Sequence, residues 1–260
     1  MERTKQGEFA WTDLSATDLE GQTAFYEGLF GWEHHDVPMG DGATYRIFTV
    51  DGGTVSGASV MPAQMAQSGV PSMWNVYVAV GNLDASLARA VELGGKVAMP
   101  VTPVGPHSRF AAIMGPTGAP VFLWQNGAPD AKQVYGVPGA LVWNDLMTRD
   151  PAKAADFFTK LVGWEIAKMD EGQEPYWQVN IDGTGEGGIM PMPEMVPPEV
   201  PSYWLDYFAT TDIAASVAKA KGLGATATVE PMKVGDMLWF AVLTDPAGAT
   251  FALMQPLMST

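Results

Sequence analysis

An internal repeat constrains the fold of this chain more than any other feature. The segment from Trp11 to Glu33 recurs from Trp143 to Glu165, with matching residues at an offset of 132. Both copies open with W-x-D-L and close with L-x-G-W-E. A repeat of this length indicates duplication, so we expect two halves with one shared architecture.

Further matches extend the repeat along each half. Pro71, Ser72 and Trp74 pair with the same residue types at 201, 202 and 204, now at an offset of 130. Between the matched segments, hydrophobic periodicity predicts a strand, a helix and three strands, twice in each half. The sequence therefore predicts an α+β fold of four βαβββ modules. We place domain 1 at 1–126, a linker rich in Gly and Pro at 127–139, and domain 2 at 140–260.

Composition excludes several classes of function. The net charge is −15 and the chain has only 14 Lys and Arg, so a basic surface for nucleic acid or an anionic membrane is not expected. The absence of Cys excludes disulfides and thiolate chemistry. No apolar run is long enough to span a bilayer, and no secretory signal is visible at the start. We expect a cytoplasmic monomer or homodimer whose partner is a small molecule.

Several motifs together resemble one known family. They are A-F-Y-x-x-L-F-G-W-E in the first half, an L-x-x-A-x-x-L-G-G helix end, and the G-P-T-G or D-P-A-G turn before the last strand of each half. This pattern resembles the vicinal oxygen chelate superfamily, which includes glyoxalases, bleomycin-resistance proteins and extradiol dioxygenases. The resemblance implies two tandem glyoxalase-like domains, each an open curled sheet around a ligand cavity.

The same resemblance implies three metal-ligand positions in each domain. They fall on Trp11, Asn75 or Trp74, and Phe122 in the first half, and on Trp143, Leu205 or Trp204, and Ala252 in the second. The first and last positions are therefore indole, phenyl or methyl groups, which do not ligate a divalent cation. All three His lie in the first half. We expect no metal site and no cofactor, with a divalent metal as the disfavoured alternative.

Two acidic residues occupy equivalent positions beside the repeated tryptophans. Asp13 and Asp145 lie two residues past Trp11 and Trp143, so the period of a β-strand puts each carboxylate on the same face as its indole. A desolvated Asp in a cavity suits a general base or a partner for a polar ligand group. The alternative is that both aspartates brace a neighbouring loop.

Aromatic residues on the predicted strands indicate an apolar ligand. We predict that ligand-binding residues come from both halves, with part of the aromatic set packed in the core instead. The candidates are Trp11, Trp74, Asn75, Tyr77, His107, Arg109, Phe122, Trp124, Trp143, Trp177, Trp204 and Tyr207.

Three functions remain open from the sequence. The first is a glyoxalase-fold protein without the usual metal ligands that binds an apolar or aromatic small molecule in an aromatic-lined cavity. The second is an enzyme, using either cofactor-free acid–base chemistry at Asp13 or Asp145 or an atypical metal-dependent lyase or oxygenase reaction. The third is a protein–protein interaction module, which predicts filled cavities.

Overall fold

Two eight-stranded sheets make up the computed structural model, which describes residues 5–40, 42–127, 133–169, 175–194 and 196–257. The first half forms sheet A. Its elements are β1 (Phe9–Ala16), α1 (Leu19–Phe30), β2 (Glu33–Gly40), β3 (Ala43–Val50), β4 (Gly53–Val60), α2 (Ala63–Gln67), β5 (Met73–Ala79), α3 (Leu83–Glu92), β6 (Lys96–Val104), β7 (Ser108–Met114) and β8 (Pro120–Gln125).

The second half forms sheet B from equivalent elements. They are β9 (Leu141–Thr148), α4 (Pro151–Val162), β10 (Glu165–Met169), β11 (Tyr176–Ile181), β12 (Thr184–Pro191), β13 (Tyr203–Ala209), α5 (Ile213–Gly222), β14 (Thr226–Val234), β15 (Leu238–Thr244) and β16 (Thr250–Pro256). Among the helices in the described ranges, none is long and apolar enough to cross a membrane.

Strand order is the same in both sheets. Sheet A runs β2-β3-β4-β1-β5-β8-β7-β6, and sheet B runs β10-β11-β12-β9-β13-β16-β15-β14. The first strands of the two modules pair antiparallel at the centre of each sheet. The predicted α+β fold of four βαβββ modules in two tandem glyoxalase-like domains is confirmed. The domain limits at 126 and 140 stay a prediction, and linker residues 128–132 lie outside the described ranges.

The repeated helix has the same start and stop signals in both halves. Asp18 and Asp150 cap α1 and α4 by accepting hydrogen bonds from the backbone N–H groups of Gly21 and Lys153. Both helices end at a glycine in the left-handed region, with φ of 72° at Gly31 and 82° at Gly163. Only glycine adopts this conformation without steric cost, which explains the repeated Gly before the repeated Trp.

The tryptophan after that glycine joins the two halves reciprocally. Trp32 Nε1 donates to the carbonyl of Gly139, which precedes β9, over 2.8 Å. Trp164 Nε1 donates to the carbonyl of Gly7, which precedes β1, over 2.7 Å. Both indoles are buried. The repeated G-W pair therefore fixes each helix end of one half to the chain entering the other half.

The hydrophobic core is also shared between the halves. One cluster joins the β5–β8 module and α3 to α4 and the β9–β12 module. A second joins α1 and the β1–β4 module to α5 and the β13–β16 module. The helices therefore lie between the two sheets. The opposite face of each curled sheet carries no helix, and we call it the concave face.

A buried polar contact lies where the sheets meet. Asp206 of β13 accepts a hydrogen bond from the Thr12 hydroxyl of β1 and another from Asn144 Nδ2 of β9, the latter over 2.8 Å. All three side chains are fully buried. Burial raises the pKa of Asp206 to about 7, although both hydrogen bonds act in the opposite direction.

Candidate functional site

The two predicted catalytic aspartates lie at equivalent points of the helix-free faces. We name these surfaces face A (Trp11, Asp13, Ser15, Tyr45, Ser59, Asn75, Tyr77, Phe110, Phe122 and Trp124) and face B (Trp143, Asp145, Met147, Tyr176, Met190, Leu205, Tyr207, Phe240, Ala252 and Met254). Asp13 is 5% exposed and Asp145 is 4% exposed. Each carboxylate lies on the same face of its sheet as the tryptophan two residues before it, as the two-residue period of a β-strand predicts.

Asp13 is held by three hydrogen-bond donors. Tyr77 donates its hydroxyl to Oδ2 over 2.8 Å, and Tyr45 donates to the same oxygen over 3.2 Å. Asn75 Nδ2 donates to Oδ1 over 2.8 Å. Trp11 Nε1 in turn donates to the Tyr45 hydroxyl over 2.7 Å. Trp11, Tyr45 and Asp13 therefore form one connected chain of hydrogen bonds.

Asp145 has the equivalent set without the amide. Tyr176 donates its hydroxyl to Oδ1 over 2.8 Å, and Trp143 Nε1 lies 3.0 Å from that oxygen and 3.0 Å from the Tyr176 hydroxyl. Tyr207 also donates to this carboxylate. Leu205 replaces Asn75 as the residue paired with the aspartate. The second carboxylate therefore has donors from phenol and indole groups only.

A glycine makes room for each tyrosine. A Cβ atom at Gly57 would lie 2.1 Å from the Tyr45 hydroxyl, and one at Gly188 would lie 1.9 Å from the Tyr176 hydroxyl. Both glycines are paired in register with the aspartate of their sheet. Any larger residue at these positions would displace the phenol. Glycine therefore leaves the space in which each tyrosine hydroxyl reaches its aspartate.

The electrostatics of the two sites favour proton retention. Burial raises the pKa of both Asp13 and Asp145, and hydrogen bonds from the surrounding donors oppose this shift. In the described part of the chain, neither carboxylate has a Lys or Arg partner. Burial also raises the pKa of Tyr45 and Tyr77, so both phenols stay protonated and act as donors.

Face A continues from the aspartate into an aromatic wall. Tyr77 stacks on Phe122 with ring centroids 4.6 Å apart, and Phe110 stacks on Trp124 at 6.4 Å. The rings of Phe110, Phe122 and Trp124 remain partly exposed. This wall presents apolar ring surface directly beside a buried polar cluster.

The predicted metal positions form a row across the sheets. Trp11, Tyr77 and Phe122 lie in register on β1, β5 and β8, so Tyr77 and not Asn75 completes the row in sheet A. Its counterpart in sheet B is Trp143, Tyr207 and Ala252. Neither row supplies the carboxylate or imidazole donors that a divalent cation requires. The residues present do not fit the metal of the fold family.

The histidines do not compensate for these rows. His34 and His35 lie on edge strand β2, whereas His107 lies in the β6–β7 turn, at the other end of sheet A. Over the whole described part of the chain, no group of three or more His, Asp or Glu side chains is placed to hold a metal ion. The absence of a cofactor stays a prediction.

Three predicted ligand-binding tryptophans lie on the other side of their strands. Trp74 and Trp204 belong to the cores between the sheets, and Trp177 packs against one of those cores. Strand geometry explains this placement, because Trp74 is three residues from Tyr77 and so must point to the opposite face. These indoles belong to the part of the aromatic set that packs in or against the cores, and their ligand-binding role stays a prediction.

Arg109 and His107 are also away from face A. Arg109 points to the helix side of β7, where Nη2 pairs with Asp84 over 2.7 Å and contacts Gln125. His107 is exposed in its turn. Neither residue contacts the Asp13 cluster, so their predicted ligand-binding role has no geometric support.

Tyr45 and Tyr176 are site residues that the sequence analysis missed. Each provides a hydroxyl to the buried aspartate of its sheet. The signal was present in the repeat, because these tyrosines are 131 residues apart, between the offsets of 132 and 130 that flank them. Gly57 and Gly188 share the same offset.

A groove runs between the halves at the starts of β5 and β13. Its volume is about 360 Å³, and it is lined by Trp74 and Trp204 and also by Asn75 and Phe122 of face A. We call it the interdomain groove. Two of the tryptophans excluded from the concave faces therefore lie at its wall.

Sequence comparisons agree with this architecture. Residues 8–122 match the model of the Glyoxalase/Bleomycin resistance protein/Dioxygenase superfamily, and residues 141–254 match the model of a glyoxalase-like domain. The chain is 37% identical to CFP32 of Mycobacterium tuberculosis, provisionally named a glyoxylase, over 97% of this chain and 96% of that protein. It is 31% identical to the anthracycline biosynthesis protein DnrV of Streptomyces peucetius, over 98% of this chain and 95% of the relative.

Solved structures share the fold at low sequence identity. The Mn(II)-bound glyoxalase from Novosphingobium aromaticivorans superposes with a TM-score of 0.68 at 15% identity, covering 98% of this chain and 84% of that one. The 2,3-dioxygenase LapB from Pseudomonas sp. KL28 also gives 0.68, at 12% identity, covering 98% and 94%. Together, the tandem curled sheets, both family matches and the full-length relatives show that the chain belongs to the glyoxalase/bleomycin resistance protein/dioxygenase superfamily.

Proposed function

We propose that this protein binds an apolar or aromatic small molecule on an aromatic-lined concave face. The observation that carries the proposal is the wall of Phe110, Phe122 and Trp124, whose rings are partly exposed beside the buried Asp13 cluster. Exposed aromatic surface in a concavity is costly to leave in water and favours a ring that can stack on it. The hydrogen bonds behind the wall hold it in one arrangement before a ligand arrives.

The name of one relative supports a planar ligand. DnrV is named for anthracycline biosynthesis. Anthracyclines contain a planar anthraquinone unit that carries hydroxyl and quinone oxygens. A ligand of this chemistry would stack on the wall and offer oxygens to nearby polar side chains. Each well-placed ring contact contributes about 0.5–1.5 kcal/mol beyond area burial.

Quenching of intrinsic tryptophan fluorescence by a soluble anthracycline tests this proposal. We expect saturable quenching, and we expect Phe122→Ala to weaken it. Met237→Ala is the control, since Met237 is 65% exposed and lies outside both faces. The proposal fails if quenching rises linearly without saturation, or if the two variants weaken binding equally.

The buried carboxylate favours a second candidate, acid–base catalysis at Asp13. A desolvated Asp with a raised pKa and no cationic partner is a stronger base than an exposed one. In such a step the ionised carboxylate takes a proton from a C–H or O–H group of the ligand and later returns it. The glyoxylase name of CFP32 supports an enzymatic role.

Asp13→Asn separates the two candidates. A catalytic role predicts that turnover of any substrate found is lost while ligand affinity is largely kept. It also predicts that the wild-type rate rises as pH increases through the raised pKa of Asp13, because only the ionised form accepts a proton. Asp145→Asn is the matched comparison. Turnover that survives Asp13→Asn would exclude Asp13 as the base.

A further inference from the structure

The two concave faces share a centre but differ in their polar surroundings. Both have the aspartate, two tyrosines and a tryptophan described above. Around that centre face A has three polar side chains where face B has apolar ones. The equivalent pairs are Ser15 and Met147, Ser59 and Met190, and Asn75 and Leu205. Only face A therefore offers hydrogen-bonding groups to a ligand beside its aspartate.

The aromatic side of the two faces differs as well. Phe122 and Trp124 of face A correspond to Ala252 and Met254 of face B. Phe122 stacks on Tyr77 in sheet A. Its counterpart beside Tyr207 in sheet B is Ala252, which has only a methyl group. The aromatic wall exists on face A alone.

Exposure follows the same division. Ser15, Asn75, Phe122 and Trp124 are all partly exposed. The exposed fractions of their counterparts are 6% for Met147, 3% for Leu205, 0% for Ala252 and 7% for Met254. These four pack with Tyr207 into an apolar cluster that also contacts Trp143, Met190 and Phe240. Face B is therefore packed more tightly than face A at these four positions, while Trp143, Tyr176, Met190 and Phe240 at its margin stay partly exposed.

Hydrogen-bonding capacity on face A is not exhausted by internal contacts. Asn75 Nδ2 donates to Asp13 and to the Ser15 hydroxyl, over 2.8 and 2.9 Å. Because Ser15 accepts in this contact, its own proton remains to be donated. Asn75 also lines the interdomain groove, so the polar side of face A adjoins free volume.

We infer that face A is the single ligand site of this chain and that it takes a planar aromatic compound bearing a hydroxyl or carbonyl oxygen. The rings lie on Phe122 and Trp124, and the oxygen lies beside Ser15 and Asn75. Face B is the packed counterpart of this site and binds nothing. The inference rests on the proposed function, since it assumes that a ligand is bound.

Stoichiometry on the unmodified protein tests the inference first. Calorimetric titration with a dihydroxyanthraquinone is expected to give one site per chain. Pyrene, a planar hydrocarbon without oxygens, is expected to bind more weakly at the same site and to be displaced by the quinone. Two equivalent sites per chain, or pyrene binding that the quinone does not displace, would overturn the inference while leaving the proposed function intact.

Matched substitutions then assign the site. Asn75→Leu places the face B residue on face A and should weaken quinone binding about tenfold, while pyrene affinity changes little. Phe122→Ala should weaken both probes about fivefold. Met147→Leu on face B should change neither. Thermal unfolding of each variant verifies folding.

Two further outcomes distinguish the levels of failure. If Met147→Leu weakens the quinone as much as Asn75→Leu does, face A is not the site and the inference fails alone. If neither probe saturates the wild-type protein, the proposed function and the inference fall together.

Discussion

At the scale of single residues, the two buried aspartates carry a cost that the fold must offset. An ionised carboxylate removed from water without a cation loses much of its solvation. Here phenol, indole and amide donors replace the water around Asp13 and Asp145. Neutral donors recover part of that solvation, which agrees with the raised pKa of both groups.

Replacing the glycine behind each tyrosine should break this arrangement in a measurable way. Gly57→Ala places a methyl group 2.1 Å from the Tyr45 hydroxyl, so the phenol must move away from Asp13. We expect a loss of ~1–3 kcal/mol in the free energy of unfolding, measured by urea denaturation. We also expect weaker ligand binding, because Trp11 and Tyr45 belong to face A.

The matched control is Gly188→Ala on face B. It crowds the Tyr176 hydroxyl to the same degree and should cost similar stability. If face A is the site, ligand affinity should stay unchanged in this variant. If Gly57→Ala instead has the same free energy of unfolding and the same ligand affinity as the wild type, the position of the Tyr45 hydroxyl matters for neither.

The alternation of side chains along a β-strand determined how much of the candidate site could be predicted from the sequence. The spacing of Trp11 and Asp13 placed both on one face, and the structure agrees. Aromatic identity alone made Trp74 a ligand-binding candidate together with Tyr77, although a separation of three residues puts the two side chains on opposite faces. Tyr45 was missed because its partner Asp13 lies on another strand, and strand pairing is not visible in local sequence.

At the scale of elements, helices α1 and α4 are equivalent but bury different groups. Tyr26 of α1 accepts from Trp74 Nε1 and donates to Asp245, over 3.0 Å in each case. In the other half these positions are Phe158, Trp204 and Gly115. Trp204 Nε1 consequently has no hydrogen-bond partner within the described part of the chain, although it is buried. The orphaned donor follows directly from the missing phenol.

Introducing the missing phenol on α4 and the missing carboxylate in the β7–β8 turn should show that the two positions are energetically coupled. Phe158→Tyr supplies an acceptor for Trp204 Nε1, and Gly115→Asp supplies the carboxylate that the new phenol needs. A Cβ atom at Gly115 meets its nearest neighbours at 3.6 Å, an ordinary contact. Each single change should cost ~1–2 kcal/mol, since each buries one unsatisfied group. The double variant should recover ~1–2 kcal/mol of that sum.

A double-mutant cycle from denaturant unfolding measures this coupling. The reverse change, Tyr26→Phe, serves as the control and should destabilise by ~1–3 kcal/mol because it orphans Trp74 and one Asp245 contact. Strictly additive effects of Phe158→Tyr and Gly115→Asp would contradict the proposed network.

The repeat made most elements predictable, but it could not specify their partners. Hydrophobic periodicity and the capping residues Asp18 and Asp150 predict each helix from local sequence. The same pattern is compatible with each domain closing its own core. The structure instead packs α1 with α5 and α3 with α4. This choice depends on shape complementarity between distant residues, which periodicity does not encode.

At the scale of the whole molecule, the two largest hydrophobic clusters are each built by both halves. Both clusters mix residues of the first and second halves, and the indoles of Trp32 and Trp164 bind across the boundary. Unfolding one half would therefore expose the core of the other. We expect one cooperative thermal transition, with equal calorimetric and van't Hoff enthalpies. Two resolved transitions would show that the halves are independent.

The contact at the centre of the molecule has an unusual proton balance. The Thr12 hydroxyl lies within hydrogen-bonding distance of both Asp206 Oδ2 and the carbonyl of Asn75, yet it has one proton. Protonation of Asp206 reverses the first of these contacts, so that the carboxylic acid donates to Thr12 and the Thr12 proton goes to the carbonyl alone. Asp13, on the far side of β1, further raises the pKa of Asp206. Tyr26 is a second titratable group within electrostatic reach.

Asp206→Asn should therefore change how stability depends on pH. Burial raises the pKa of Asp206 in the folded protein from its ordinary value of 3.8 to about 7, so the folded state binds more protons between these values. Stability from this group is complete below the lower value and is lost as pH rises through the higher one.

Asparagine mimics the neutral acid and cannot ionise. At about pH 4 we expect the free energy of unfolding of the variant to match that of the wild type. At about pH 8 we expect it to be higher than that of the wild type by a few kcal/mol. Urea unfolding across this range measures the difference, with Asp51→Asn in the exposed β3–β4 turn as the control. A difference that stays constant with pH would show that Asp206 is already ionised in the folded protein.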